Sequence, residues 1–141
     1  MATTTITAMR AALIASLRDR PGLAGVQIGY GMPPGALQRE HILFGMVDAQ
    51  QEYRALGTAR KFEDYAATVF ISVMREGTDQ QATDERALSL LAEVEAELRD
   101  DPTVGNTVLT AEVSRYRMEP MASDTTREAR ITLDIQTRAR I

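Results

Sequence analysis

The sequence predicts an α+β domain: two helices packed on one face of a mostly antiparallel mixed β-sheet, in the order α-β-β-β-α-β-β. Three observations predict it. Two segments repeat apolar residues at helical spacing, one near the start and one before position 100. The segment 65–74, "YAATVFISVM", carries no charge on either face of a strand, which predicts an interior strand covered at least partly on both sides. The segment 129–139 alternates apolar Ala129, Ile131, Leu133 and Ile135 with polar Arg130, Thr132, Asp134 and Gln136, the pattern of a half-buried strand. Helices with one apolar stripe and a sheet with one apolar face satisfy each other by layering.

The elements follow in order. Ile6, Met9, Leu13 and Leu17 mark the first helix; Thr4 or Thr5 caps it, and "RPG" at 20–22 stops it. The first 18 residues hold no acid and are rich in Thr, Ser and Ala, as a transit peptide would be, but the helical spacing favours a plain amphipathic helix. Val26, Ile28 and Tyr30 alternate in a short strand, a glycine-proline corner follows, and "HILFGMV" at 41–47 predicts the next strand. "DAQQEYRALGTARKFED", 48–64, is polar and predicts a long hairpin tip or mobile loop. After the uncharged strand, "REGTD" opens the second helix, with Thr78 and Gln81 as a capping box. Its stripe is Ala87, Leu88, Leu91, Val94 and Leu98, and "DDP" at 100–102 ends it. Strands at 108–118 and 129–139 flank "EPMASDTTRE", read as a polar turn.

At 141 residues, with 44% hydrophobic and 26% charged, the chain suits a single domain, 1–141. It has no cysteine, which excludes disulfides, thiolate metal sites and thiol nucleophiles and fits a cytosolic product. No apolar run approaches the roughly 20 residues of a membrane helix. The net charge of −4 argues against a general nucleic-acid binder. Charge is nevertheless uneven: 78–101 holds eight acids and two arginines, and 115–141 holds six arginines and four acids.

Chemistry finds no foothold. Gly29, Gly31 and Gly35 nearly spell a phosphate loop, but Pro33 and Pro34 have no N–H to offer, no lysine follows, and a strand stands where a helix N-terminus is needed. The stretch reads as a corner. His41 is the only histidine, and no Ser or Thr sits in a nucleophile elbow. The pairs Glu63-Asp64 and Asp100-Asp101 are adjacent; on a strand, neighbours face opposite ways and cannot jointly chelate. Tyr116 likewise faces away from Arg115 and Arg117, so the two sheet faces are used differently. These residues point to binding or assembly, with a small ligand-binding domain or a carboxylate-dependent enzyme as the alternative from another class.

Three phrases, "RPGLAGVQIGYGMPPG", "DERALSLLAEVEAELRDDPTVGNTV" and the terminal "TRARI", make the chain resemble the tail terminator proteins of long-tailed bacteriophages, also called minor tail or tail completion proteins. The resemblance covers nearly the whole chain, and its motifs are structural phrases. It implies a structural virion protein, made in the host cytoplasm, that forms a homohexameric ring on the head-proximal end of the tail tube, stops polymerisation and joins tail to head. The implied partners are other copies, the tail tube protein and a head-side connector protein, with no membrane and no sequence-specific nucleic acid, although phage DNA would thread the ring. It implies no cofactor, no metal and no catalytic residue. A head-tail connector or stopper protein is the alternative of the same kind.

A ring closes when one patch meets a different patch on the next copy. The uneven charge makes Glu93, Glu97 and Asp101 on one side, and Arg115, Arg117, Arg127 and Arg130 on the other, the candidate subunit interface. Gln50, Gln51, Tyr53, Arg54, Arg60 and Lys61, in the polar segment, are candidates for a mobile loop that contacts tube or connector.

Overall fold

The structure, a computed structural model, describes residues 3–53 and 61–141. The chain forms α1 (Ile6–Arg18), a 3₁₀ turn (Pro21–Leu23), β1 (Gln27–Gly29), β2 (Glu40–Tyr53), β3 (Lys61–Glu76), α2 (Gln80–Asp100), β4 (Thr110–Ala122) and β5 (Thr126–Arg140). The five strands make one sheet in the order β1-β2-β3-β5-β4; β1 is parallel to β2 and every other pair is antiparallel. This is the predicted α+β class and element order.

The core is built in cross-strand rows. Ile42, Ile71, Ile131 and Met118 lie side by side across β2, β3, β5 and β4, and the next row is Phe44, Val69, Leu133 and Tyr116. With period 2 along each strand, these rows share one face. Their β2, β3 and β5 members form a single buried cluster with Met9, Leu13 and Leu17 of α1 and Leu90, Leu91, Val94 and Leu98 of α2; Met118 packs against its margin and Tyr116 is exposed. Both helices therefore cover the same face. The α2 stripe runs through Thr83, Ala87, Leu90, Leu91, Val94 and Leu98. Leu88 is half exposed instead of inside, because the 3- and 4-residue steps that join Ala87 to Leu91 and Val94 pass through Leu90.

β3 is central, as its uncharged sequence predicted, but only its odd-numbered face is covered by helices. On the other face Ser72 is buried while Phe70 and Met74 are exposed, so the expected partial cover holds at Ser72 and fails at Phe70 and Met74. The strands are also longer than their apolar stretches. β2 continues through Asp48, Gln50 and Tyr53, paired with Ala66, Asp64 and Lys61, where a polar loop was expected. Backbone pairing needs no apolar side chain once a neighbouring strand fixes the register. The turn expected over 119–128 shrinks to Ser123–Thr125 in the same way, and Pro120 is tolerated because β4 is an edge strand.

Two caps differ from the sequence reading. Asp79, not Thr78, caps α2, its Oδ1 accepting the Ala82 N–H at 2.9 Å. At α1, Thr5 occupies the cap position without a side-chain bond, and the Thr4 hydroxyl oxygen accepts the Ile6 N–H. The exit of α2 is an organised loop. The Asp101 carboxylate accepts from the Gly105 N–H at 2.7 Å and from the Thr103 hydroxyl, holding Val104, Gly105 and Asn106 at positive φ. Those bonds hold the Asp101 carboxyl below its ordinary value.

Ile71 is fully buried at the centre of the sheet. Ile71→Asp places an unpaired charge there at a cost of several kcal/mol, comparable with the roughly 5–15 kcal/mol that stabilises a domain. The variant is expected to lose its cooperative thermal transition, read by circular dichroism; a soluble variant that melts cooperatively contradicts the central placement.

Candidate functional site

The helix-free face of the sheet and the two strand edges beside it form the most distinctive surface. From β2 to β4 its rows are His41–Ser72–Arg130–Glu119 and Leu43–Phe70–Thr132–Arg117, followed toward the far end by Asp48–Ala66–Gln136–Glu112. Between the second and third rows, β2 bulges at Gly45 and Met46, where the register shifts between Phe44 and Val47. Gly45 is required there: a Cβ would stand 2.6 Å from the ring of Phe70, which lies against the glycine. The bulge turns Met46 outward, 68% exposed, beside Phe70 at 38%. Met46, Asp48, Ala66 and Thr68 line a groove on this face together with Arg115, Arg117, Thr132 and Asp134.

Each candidate arginine has an in-chain neighbour. Arg115 stands 3.7 Å from Asp134, Arg117 3.0 Å from Glu119 and Arg130 3.2 Å from Glu128. All three are on the open face by register. Arg127, at the start of β5, donates to the Ser123 and Thr126 carbonyls and holds the β4–β5 turn. Such exposed pairs contribute on the order of 0–1 kcal/mol and can exchange partners.

The acidic candidates lie on the other layer. Arg20, in the turn after α1, reaches Glu93 at 2.8 Å, Glu97 at 3.6 Å and Asp100 at 3.4 Å. Gly22 makes room for this, since a Cβ there would collide with the Glu93 carboxylate. The Glu93 hydrogen bond raises the Arg20 guanidinium above its ordinary value. Asp101 holds its own loop. The structure thus separates the acidic and basic candidates onto opposite layers of one copy.

Of the candidates in the polar segment, Gln50, Gln51 and Tyr53 are strand residues of β2, and Lys61 begins β3 with its ammonium 5.1 Å from the Tyr53 ring centre. Arg54 and Arg60 lie outside the described residues. Gln51 faces the helices, where its amide donates to Glu63 at 2.8 Å. Glu63 is 1% exposed and takes a second hydrogen bond from the Thr4 hydroxyl. Its neighbour Asp64 points to the open face and pairs with Arg138 at 3.1 Å, so the adjacent carboxylates do face opposite ways.

Sequence reading missed three features. Arg20 as a clamp carried no signal beyond a charge at a helix exit. The bulge was signalled by Gly45 inside an apolar strand. The third is a forked bond in which Arg86 of α2 donates to both Glu40 oxygens at 2.8 and 3.0 Å, tying α2 to the start of β2.

Among the described residues, no three His, Asp or Glu side chains converge to hold a metal ion, and no helix is long and apolar enough to cross a membrane. His41 Nδ1 is 2.8 Å from the Gln38 carbonyl oxygen, beside the glycine-proline corner, which runs into β2 and not into a helix. No family model matches the chain, and no curated protein matches it. Among solved structures, it is similar to a chain of the "Virion of native gene transfer agent (GTA) particle", with 13% identity, 98% of this chain and 100% of that chain covered, and a TM-score of 0.59. At this identity the likeness establishes a shared fold, end to end.

The Arg86 fork holds the Glu40 carboxyl below its ordinary value of 4.5, with burial opposing. A carboxylate lowered in the folded state contributes stability that is complete above its unfolded value and lost as pH falls through the folded one. Arg86→Gln is expected to cost about 1 kcal/mol near neutrality. In urea denaturation the gap between wild type and variant should narrow below about pH 4. A gap independent of pH contradicts the assignment.

Proposed function

We propose that the chain is a structural virion protein of the phage-tail kind, forming a ring at the head-proximal end of a tail tube, where it ends tube growth and joins tail to head. The observation that carries this reading is the end-to-end fold likeness to a virion chain. Support also comes from the three sequence phrases shared with tail terminators. The structure gives two of them physical content: the Arg20-Pro21-Gly22 turn that clamps α2, and the Asp101 loop that closes it. A face with an exposed apolar centre and charged margins is the kind of surface that assembly uses. In this reading the ring is heterologous and needs no cofactor; its partners are other copies, the tube protein and a head-side connector protein.

Negative-stain images of the purified protein, alone and mixed with purified phage tail tubes, test it. Rings of one diameter seated at one end of the tubes are the expected result. Bare tube ends and no rings overturn it.

The arginines of the open face belong to the ring contact in this reading. Arg115→Glu with Arg117→Glu is expected to reduce self-association several-fold at low ionic strength and much less at high salt, by sedimentation velocity, because rim charges steer association and are screened. Arg99→Glu is the control, being exposed on α2. Arg10 and Arg18 are unsuitable, since they donate to the Gly45 and Ile28 carbonyls. Equal assembly of wild type and double variant at both salt levels removes these arginines from the contact.

A further inference from the structure

The sheet ends in two long edges whose backbone has no strand beside it. β1 covers only His41, Ile42 and Leu43 of β2, so positions 44–53 have no outer strand neighbour among the described residues. β4 is the other edge, paired with β5 on one side only. Unpaired edges template pairing with another chain unless they are kept short or blunted. Pro120 lacks an N–H, so pairing along β4 is confined to 110–119, as many residues as 44–53 on β2.

We infer that the edge of β4 in one copy pairs antiparallel with the 44–53 edge of β2 in the next, making one continuous sheet around the ring; this deepens the ring reading and rests on it. Three observations support the pairing. The first is direction. Strands alternate along β2, β3, β5 and β4, so β4 runs opposite to β2. A copy generated by rotation about an axis along the strands therefore presents its β2 antiparallel to β4. The second is charge. The 44–53 edge carries Asp48 and Glu52 and no base, while the 110–119 edge of β4 has Arg115 and Arg117 at its middle and Glu112 and Glu119 toward its ends. Overlapping the two edges in full sets Asp48 opposite Arg115, with Arg117 next on the same face, within the reach of cross-strand and diagonal neighbours. The third is availability. Asp48 has no ion pair among the described residues, and the Arg115 pair is long, at 3.7 Å with the arginine 76% exposed. The acids Glu93 and Glu97 of α2, by contrast, are engaged by Arg20. The arginines thus find their partners on β2 of the neighbour, not on α2.

The chain has no cysteine, so introduced thiols report contacts without background. Gln50→Cys and Glu112→Cys sit on the two edges and leave Asp48 and Arg115 intact. With a short bis-maleimide, the double variant is expected to give a ladder of linked oligomers ending at the ring size, and each single variant none. Asp48→Arg in the double background should reduce the ladder several-fold at low salt, and adding Arg115→Asp should restore it. Thermal melts matching wild type show that each variant is folded. If rings are seen by negative stain but the double variant does not link, or a single variant links into dimers, the edge pairing is overturned and the ring stands. If no rings form with or without tubes and nothing links, both readings fall.

Discussion

Two helices can shield only one face of a five-stranded sheet, and most features of this molecule follow from that one-sided burial. The rows Ile42–Ile71–Ile131 and Phe44–Val69–Leu133 are dry because α1 and α2 lie over them. The opposite rows face water, so they must tolerate it or be covered by something else. Most of them tolerate it, through Asp64 with Arg138, Glu128 with Arg130 and Asp134 with Thr68. The exception is the centre, where Met46 and Phe70 stand exposed around a glycine bulge that keeps Met46 outward.

Polar ties keep the helix layer in place. Arg20 grips the acidic side of α2 from the turn after α1, Arg86 grips Glu40 from α2 to the sheet, and Glu63 receives Thr4 and Gln51 beneath the start of α1. The Arg20, Arg86 and Thr4 ties span elements far apart in sequence. Together they fix the helices on the sheet and leave the open face and the edges as the surfaces free to meet a partner. Glu63 is notable among them: it is buried without a cation among the described residues and held by neutral donors, so its environment depends on the segment before α1 keeping its place.

The fold was legible where one side of an element is buried and the other is not. Met9, Leu13 and Leu17, and Ile131, Leu133 and Ile135, announce their period because burial selects every third-to-fourth or every second residue. Strand ends were not legible. Gln50, Gln51 and Tyr53 pair as well as any residues in the sheet, but their side chains meet no core, so nothing in their chemistry marks a strand. The uncharged strand 65–74 misled in a specific way. Its even-numbered residues carry no charge although no helix covers them, which sequence alone cannot distinguish from burial on both sides. The charged candidates were legible as charges but not as pairs. That Arg20 and not a second copy neutralises Glu93 depends on a turn bringing together residues 73 positions apart.

That misreading bears on function. A sheet face that reads as buried yet is open in the single chain has residues chosen for an environment the single chain does not supply. Asp64 and Arg138 show that the same face can be made fully water-compatible where no partner is needed. Phe70 and Met46 show that at its centre it was not. The two unpaired edges carry the same message for the backbone, where the unmet requirement is hydrogen bonding and not apolar cover. The unmet requirements are spread over a face and two edges, the form of surface that the proposed pairing between copies would cover.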